Sequence, residues 1–127
     1  MSAARVAASR SLPLFEKYGG MSVLRGVIMD FYDRALDSDL VGPFFEQVDM
    51  ARLIDHQTKF MAMLLGGPAS FAEERLARAH AHLGVTHAHF DEIAALISAT
   101  LADSGFSDED RRAVLAAVEA RRPLIVG

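Results

Sequence analysis

The chain contains no cysteine. Disulfides, thiolate nucleophiles, iron–sulfur ligation and cysteine–zinc sites are thereby excluded. The missing disulfides also suit a reducing compartment. Nor is there an excess of positive charge: 13 Lys and Arg stand against 17 Asp and Glu, a formal net charge of −4, with a pI of about 5.7. Non-specific nucleic-acid binding needs a basic surface, so that class of partner is disfavoured. No apolar run approaches the roughly 20 residues needed to cross a bilayer, and no membrane partner is expected. The start, Met1-Ser-Ala-Ala-Arg5-Val6, is small and weakly basic and lacks the continuous apolar stretch of a secretory signal. The expectation is a cytoplasmic protein with a flexible or weakly helical extension over residues 1–12. G-x-S-x-G, P-loop and H-E-x-x-H motifs are missing, and the Gly-Gly pairs do not match a phosphate-cradling loop. No segment alternates with period two for long enough to be a strand, and no repeat of 20–50 residues is present.

What is present is enough for a core. The 127 residues are 51% hydrophobic and 24% charged, a globular composition that fits one domain over 13–127. Glycine and proline punctuate the chain at Gly19-Gly20, Gly42-Pro43, Gly66-Gly67-Pro68, Gly84, Gly105 and Pro123. Gly19-Gly20 closes a short predicted helix with Leu14, Phe15 and Tyr18. Between the later marks the apolar spacing is i, i+3, i+4, i+7. One run is Val23, Leu24, Val27, Ile28, Phe31, Tyr32, Ala35, Leu36. A second is Leu53, Ile54, Gln57, Phe60, Met61, Leu64, Leu65. Residues 72–82 give a short helix with Leu76, Ala79 and His80 on one side. His87 to about Ala102 carries Phe90, Ile93, Ala94, Ile97 and Leu101. The last helix carries Val114, Leu115 and Val118, and Ser107-Asp-Glu-Asp110 before it resembles a capping box with a shorter acid than usual. The fold class is all-α.

Within such stripes the informative residues are the polar ones. Gln57 sits at the centre of the Leu53–Leu64 face, Tyr32 on the Ile28–Ala35 face, and His80 four residues after Leu76. Each would cost about 1–3 kcal/mol if buried without a partner. Singly, each has a bland reading: a tyrosine with a wet hydroxyl, a glutamine at a stripe's edge, a structural histidine. Together they suggest one polar object inside the core, such as a cofactor. His56 borders the same face as Gln57. The pairs His80-Ala-His82 and His87-Ala-His89 suggest metal chelation, but i and i+2 do not face each other on a helix. A two-histidine zinc or non-haem iron site is therefore the minor reading, with Glu73, Glu74, Asp91 and Glu92 read as solvated charges.

The ordered set of motifs resembles a known family. Leu14-Phe-Glu-Lys-Tyr-Gly-Gly20, Asp30-Phe-Tyr-Asp-Arg-Ala-Leu36, Pro43-Phe-Phe45, Asp49-Met50, His56-Gln57, Leu65-Gly-Gly-Pro68, Ala79-His80 and His89-Phe90 succeed one another as in a group I truncated haemoglobin, over residues 14 to about 120. The resemblance implies a two-over-two helical sandwich around haem b (iron protoporphyrin IX), with a shortened first helix and a largely looped segment before the proximal helix. It makes His80 the proximal iron ligand, its second ring nitrogen held by a backbone carbonyl. It places Phe45, preceded by Phe44, against the haem. Tyr32, with Phe31 beside it, and Gln57 become distal donors to bound dioxygen. Leu53 falls at the distal entrance, and Phe60, Met61 and Ile93 line the tunnel or pocket. Leu76 and Phe90 complete the expected haem contacts. Lys59, Arg75 and Arg78 are candidate cations for the propionates. His56 stands at a fork: it pairs with a propionate, or it ligates the iron opposite His80. The covalent haem link of some members needs a histidine in the last helix, and residues 108–127 contain none. The implied function is reversible binding of dioxygen, nitric oxide or carbon monoxide for transport or storage, with nitric oxide dioxygenation supported by a separate reductase. Electron transfer or peroxidase-like protection by a bis-histidine haem is the alternative, and a cofactor-free helical module a remoter one. A monomer or weak dimer is expected.

Overall fold

The computed structural model describes residues 13–68 and 73–127, and every regular element among them is helical. In chain order these are α1 (Gly20–Asp37), a 3-10 turn (Gly42–Phe45), α2 (Met50–Leu64), α3 (Glu73–His80), α4 (His87–Asp103), α5 (Asp108–Glu119) and the single turn α6 (Arg122–Ile125). The reading of residues 1–12 as an extension lies outside the described residues.

The segment holding Leu14, Phe15 and Tyr18 is not the short helix that its spacing predicts. It forms turns anchored by the N–H groups of Leu14 and Phe15 on the Leu65 carbonyl, at 3.0 and 2.9 Å; the Tyr18 N–H reaches Leu14, but the Gly19 and Gly20 N–H groups reach Glu16 and Phe15, so no i→i−4 ladder builds up before the two glycines turn to positive φ. α1 then starts after Gly19, whose φ of 104° suits glycine and few others. Its buried stripe is Leu24, Val27, Ile28, Phe31, Tyr32 and Ala35. Val23 and Leu36, assigned to that stripe by spacing, lie at its margins and are 48% and 46% exposed. α2 begins at an Asp49 cap, whose carboxylate accepts from the Arg52 N–H at 3.2 Å. α3 is tighter than the predicted 72–82: it ends at His80, and the chain turns through residues 81–84.

α1 packs on α2, α4 packs on α5, and α1 also lies against α4, which makes two helix pairs in two layers. Arg34 on α1 pairs with Asp103 at the end of α4, and Ser38 donates to Glu92 at 2.7 Å. α3 rests against α6. Two threonines are deeply buried, Thr58 and Thr100. Each donates its hydroxyl to a carbonyl of its own helix, Ile54 and Leu96, at 2.7 Å, so neither leaves an unsatisfied group.

The start of α5 departs from the predicted capping box. Ser107 Oγ accepts from the Asp110 N–H at 3.1 Å, as a cap should. The Asp110 carboxylate, however, accepts from Tyr18 Oη at 2.5 Å and from Lys17 Nζ at 2.6 Å. The Ser107 N–H donates instead to Tyr18 Oη at 3.1 Å. The phenol therefore spans the gap that the short acid cannot reach, and its ring stacks on Phe106 with centroids 3.7 Å apart. A reciprocal box does form at α4. There Thr86 Oγ1 accepts from the His89 N–H at 3.2 Å, and His89 Nδ1 accepts from the Thr86 N–H at 3.1 Å.

Candidate functional site

A cavity of about 480 Å³ is bordered by all six helices and by the 3-10 turn. Its volume lies within the usual range for small-molecule and cofactor sites. Each of the predicted iron, haem-contact and distal residues borders it. α1 supplies Phe31 and Tyr32, the 3-10 turn Phe44 and Phe45, and α2 Leu53, His56, Gln57, Phe60 and Met61. α3 supplies Leu76 and His80, and α4 supplies Phe90 and Ile93. The grouping follows from helical spacing: Leu53, His56, Gln57, Phe60 and Met61 form one face of α2, and Leu76 and His80 one face of α3.

His80 is half-buried at the last residue of α3, and its Nδ1 lies 2.7 Å from the Leu76 carbonyl oxygen. A carbonyl only accepts, so the proton of the neutral ring sits on Nδ1. Nε2 then carries a free lone pair, the state in which imidazole ligates a metal. Tyr32 is 6% exposed, and its ring meets Phe31 and Phe45 edge to face, with centroids 4.8 and 5.5 Å apart. Burial alone pushes its phenol well above the ordinary tyrosine range, and the hydroxyl stays a donor at neutral pH. Gln57 and His56 are half-buried on the adjoining face of α2.

Of the three candidate cations, Arg75 borders the cavity. Lys59 pairs with Asp55 at 3.1 Å and holds that carboxylate below its usual range, and Arg78 is exposed. The H-x-H pairs separate, as helix geometry requires. His80, His82 and His89 border the cavity, whereas His87 Nδ1 accepts from Arg122 at 3.1 Å. Among the described residues no group of three or more potential metal ligands from His, Cys, Asp and Glu is found, so the two-histidine metal site gains no support.

Sequence reasoning missed His82, His89, Val118 and Ile125 as lining residues. His89 carried a signal, since it stands three residues after a capping threonine. Val118 and Ile125 reach the cavity from the chain's last helices, a long-range placement without local signature. Phe90 has an outer partner as well. The Arg122 guanidinium lies 4.3 Å from its ring centroid and is held by Asp91 and Glu119, each at 2.5 Å.

These side chains suit a haem. A bare imidazole nitrogen can take iron, aromatic and aliphatic walls suit a flat apolar ring, a phenol and an amide can meet a polar ligand, and a guanidinium can meet carboxylates.

Comparison with known proteins agrees. The family model for bacterial-like globins matches residues 13–125. The group 1 truncated haemoglobin of Tetrahymena thermophila is 34% identical over 96 residues, 76% of this chain and 79% of that protein. The GlbN of a Synechocystis species, also a group 1 truncated haemoglobin, is 36% identical over 109 residues, 83% of this chain and 87% of that protein. Among solved structures, the Fe(III) form of Tetrahymena pyriformis truncated haemoglobin superposes with a TM-score of 0.83 at 31% identity, covering 90% of this chain and 97% of its own. The 2/2 haemoglobin of a Synechococcus species, solved in the cyanomet state with covalently attached haem, gives 0.83 at 30% identity, covering 90% and 98%. The chain belongs to the bacterial-like globins and, among them, to the group 1 truncated haemoglobins with their two-over-two fold.

Proposed function

We propose that this haem-binding, gas-binding globin holds haem b without a covalent link, binds dioxygen reversibly and converts nitric oxide to nitrate. The observation that carries the reading is one apolar cavity bordered both by His80, with its Nε2 bare, and by the donors Tyr32 and Gln57. When bound, the haem supplies one-electron chemistry: dioxygen and nitric oxide combine to nitrate as ferrous iron gives up one electron, which a separate reductase returns.

The chain's own residues do the rest. Leu76 orients His80 through the Nδ1 hydrogen bond and fixes its tautomer. Tyr32 and Gln57 offer O–H and N–H donors to a ligand that gathers negative charge on its outer atom, in surroundings where such bonds count for more than in water. Phe31, Phe44, Phe45, Leu53, Phe60, Met61, Phe90 and Ile93 exclude water, and Phe45 offers flat area to the porphyrin. Val27, Ile28, Ile97 and Leu101 extend the apolar lining between α1 and α4, a route suited to diatomic gas. Arg75 faces the cofactor's carboxylates. Residues 108–127 hold no histidine to form a covalent link. The working form is a cytoplasmic monomer or weak dimer.

Rapid mixing of the oxygenated protein with nitric oxide is the test. Fast conversion to the ferric form with one nitrate per haem is expected, and slow or absent conversion would remove the dioxygenase activity. A second reading rests on His56, which borders the same cavity. As a second imidazole ligand it would favour electron transfer or peroxidase-like protection. Sharp low-spin α and β bands in the ligand-free ferrous spectrum would support it; a broad high-spin band would leave His56 to a propionate.

A further inference from the structure

Two histidines border the cavity with opposite tautomers, each set by backbone. His80 Nδ1 faces a carbonyl and must carry the proton. His89 Nδ1 accepts the Thr86 N–H at 3.1 Å and must be bare. The neutral His89 ring therefore carries its one N–H at Nε2. Its position is closely specified. The His89 N–H donates to Thr86 Oγ1 at 3.2 Å, and the ring stands at 89° to Phe44 with centroids 4.8 Å apart. A ring locked in this way cannot ligate iron without giving up the cap of α4. It can offer a fixed hydrogen-bond donor to whatever acceptor shares the cavity.

We infer that His89 is a cofactor-positioning residue, whose Nε2–H donates to a carboxylate of the porphyrin. The inference rests on haem being the occupant. The acceptor follows from chemistry: the four pyrrole nitrogens of a haem are taken up by the metal and the ring's edge is hydrocarbon, so the two carboxylates are the acceptors that the porphyrin offers. Thr86 thus acts at one remove, because the same two hydrogen bonds that start α4 also select the His89 tautomer.

The test separates cap from donor. In a box of the form T-x-x-E or T-x-x-Q, the side chain at the third position also accepts the Thr86 N–H. His89→Gln therefore keeps the cap and an N–H donor. His89→Glu keeps the cap but replaces the donor with a negative charge. Apoprotein of wild type and both variants is loaded with haemin or with haemin dimethyl ester, whose carboxylates are blocked. Loss to an excess of haem-scavenging apoglobin is followed, with helical circular dichroism and thermal unfolding of each apoprotein as controls. Haemin loss about 10- to 100-fold faster from His89→Glu is expected, the loss of a charge-assisted bond, with His89→Gln near wild type and all three apoproteins equally helical. The dimethyl ester should leave wild type and His89→Glu alike. Equal haemin retention by His89→Glu would overturn the inference, as would the same acceleration with the ester. Wild type that takes up haemin while these differences fail leaves the haem reading standing; wild type that takes up none removes both.

Discussion

The rings of Tyr32 and Phe45 meet edge to face across the cavity wall, with centroids 5.5 Å apart. Tyr32→Phe keeps that contact and the fold, and removes only the hydroxyl. Dioxygen release should quicken about 5- to 150-fold, the equivalent of a donor contributing about 1–3 kcal/mol. Stopped-flow displacement by carbon monoxide measures it. Because burial holds the phenol protonated far above neutrality, the wild-type rate should not change between about pH 6 and 9 through this group. Stability has the opposite sensitivity. Above the ordinary value of 10.0 the unfolded chain releases this proton and the folded chain does not, so folding weakens as pH rises. Tyr32→Phe should flatten that alkaline limb.

Replacing His80 by glycine should abolish stable haem binding, read as the ratio of Soret to protein absorbance. Free imidazole should restore it, because the ligand is the ring and not the backbone. Normal haem content without imidazole would remove His80 from the proximal role.

Asp110 accepts hydrogen bonds from Lys17 Nζ and Tyr18 Oη, and these hold its carboxyl below the usual 3.8. A lowered folded value means a contribution that is complete above 3.8 and lost as pH falls through the folded value. Asp110→Asn should therefore lower Tm at pH 7, and the difference from wild type should shrink on acidification below about pH 4. Calorimetry across that range checks both points.

Gly67 lies against Phe15, and a Cβ added there would stand 2.5 Å from Phe15 Cδ1. Phe15 is buried, with its own N–H bound to Leu65, and has little room to yield. Gly67→Ala should cost about 1–3 kcal/mol in denaturant unfolding, with ligand kinetics unchanged.

Much of this was legible because helical period and polar exceptions were both strong. The stripes on α1, α2 and α4 located the core, and Tyr32, Gln57 and His80 stood out against those stripes as residues needing a common partner. What escaped was non-local. Nothing near Leu14 shows that the segment is anchored on Leu65 and ends within one turn at Gly19-Gly20, so its helical spacing points to a helix where turns form. Nothing near Asp110 shows that Tyr18, 92 residues away, completes its cap. His89 shows in the sequence only as part of an H-x-H pair and of the His89-Phe90 motif, because a histidine closing a capping box falls outside the usual Glu/Gln pattern.

Phe90 borders the cavity on one side and carries the partly exposed Arg122 guanidinium over its ring on the other. Asp91 and Glu119, which hold the guanidinium, look like ordinary surface acids, yet they stand on the outside of the wall whose inside faces the cavity. Solution salt and surface drift in sequence are usually thought to stop at the skin of a protein; here the skin and the interior share a single ring.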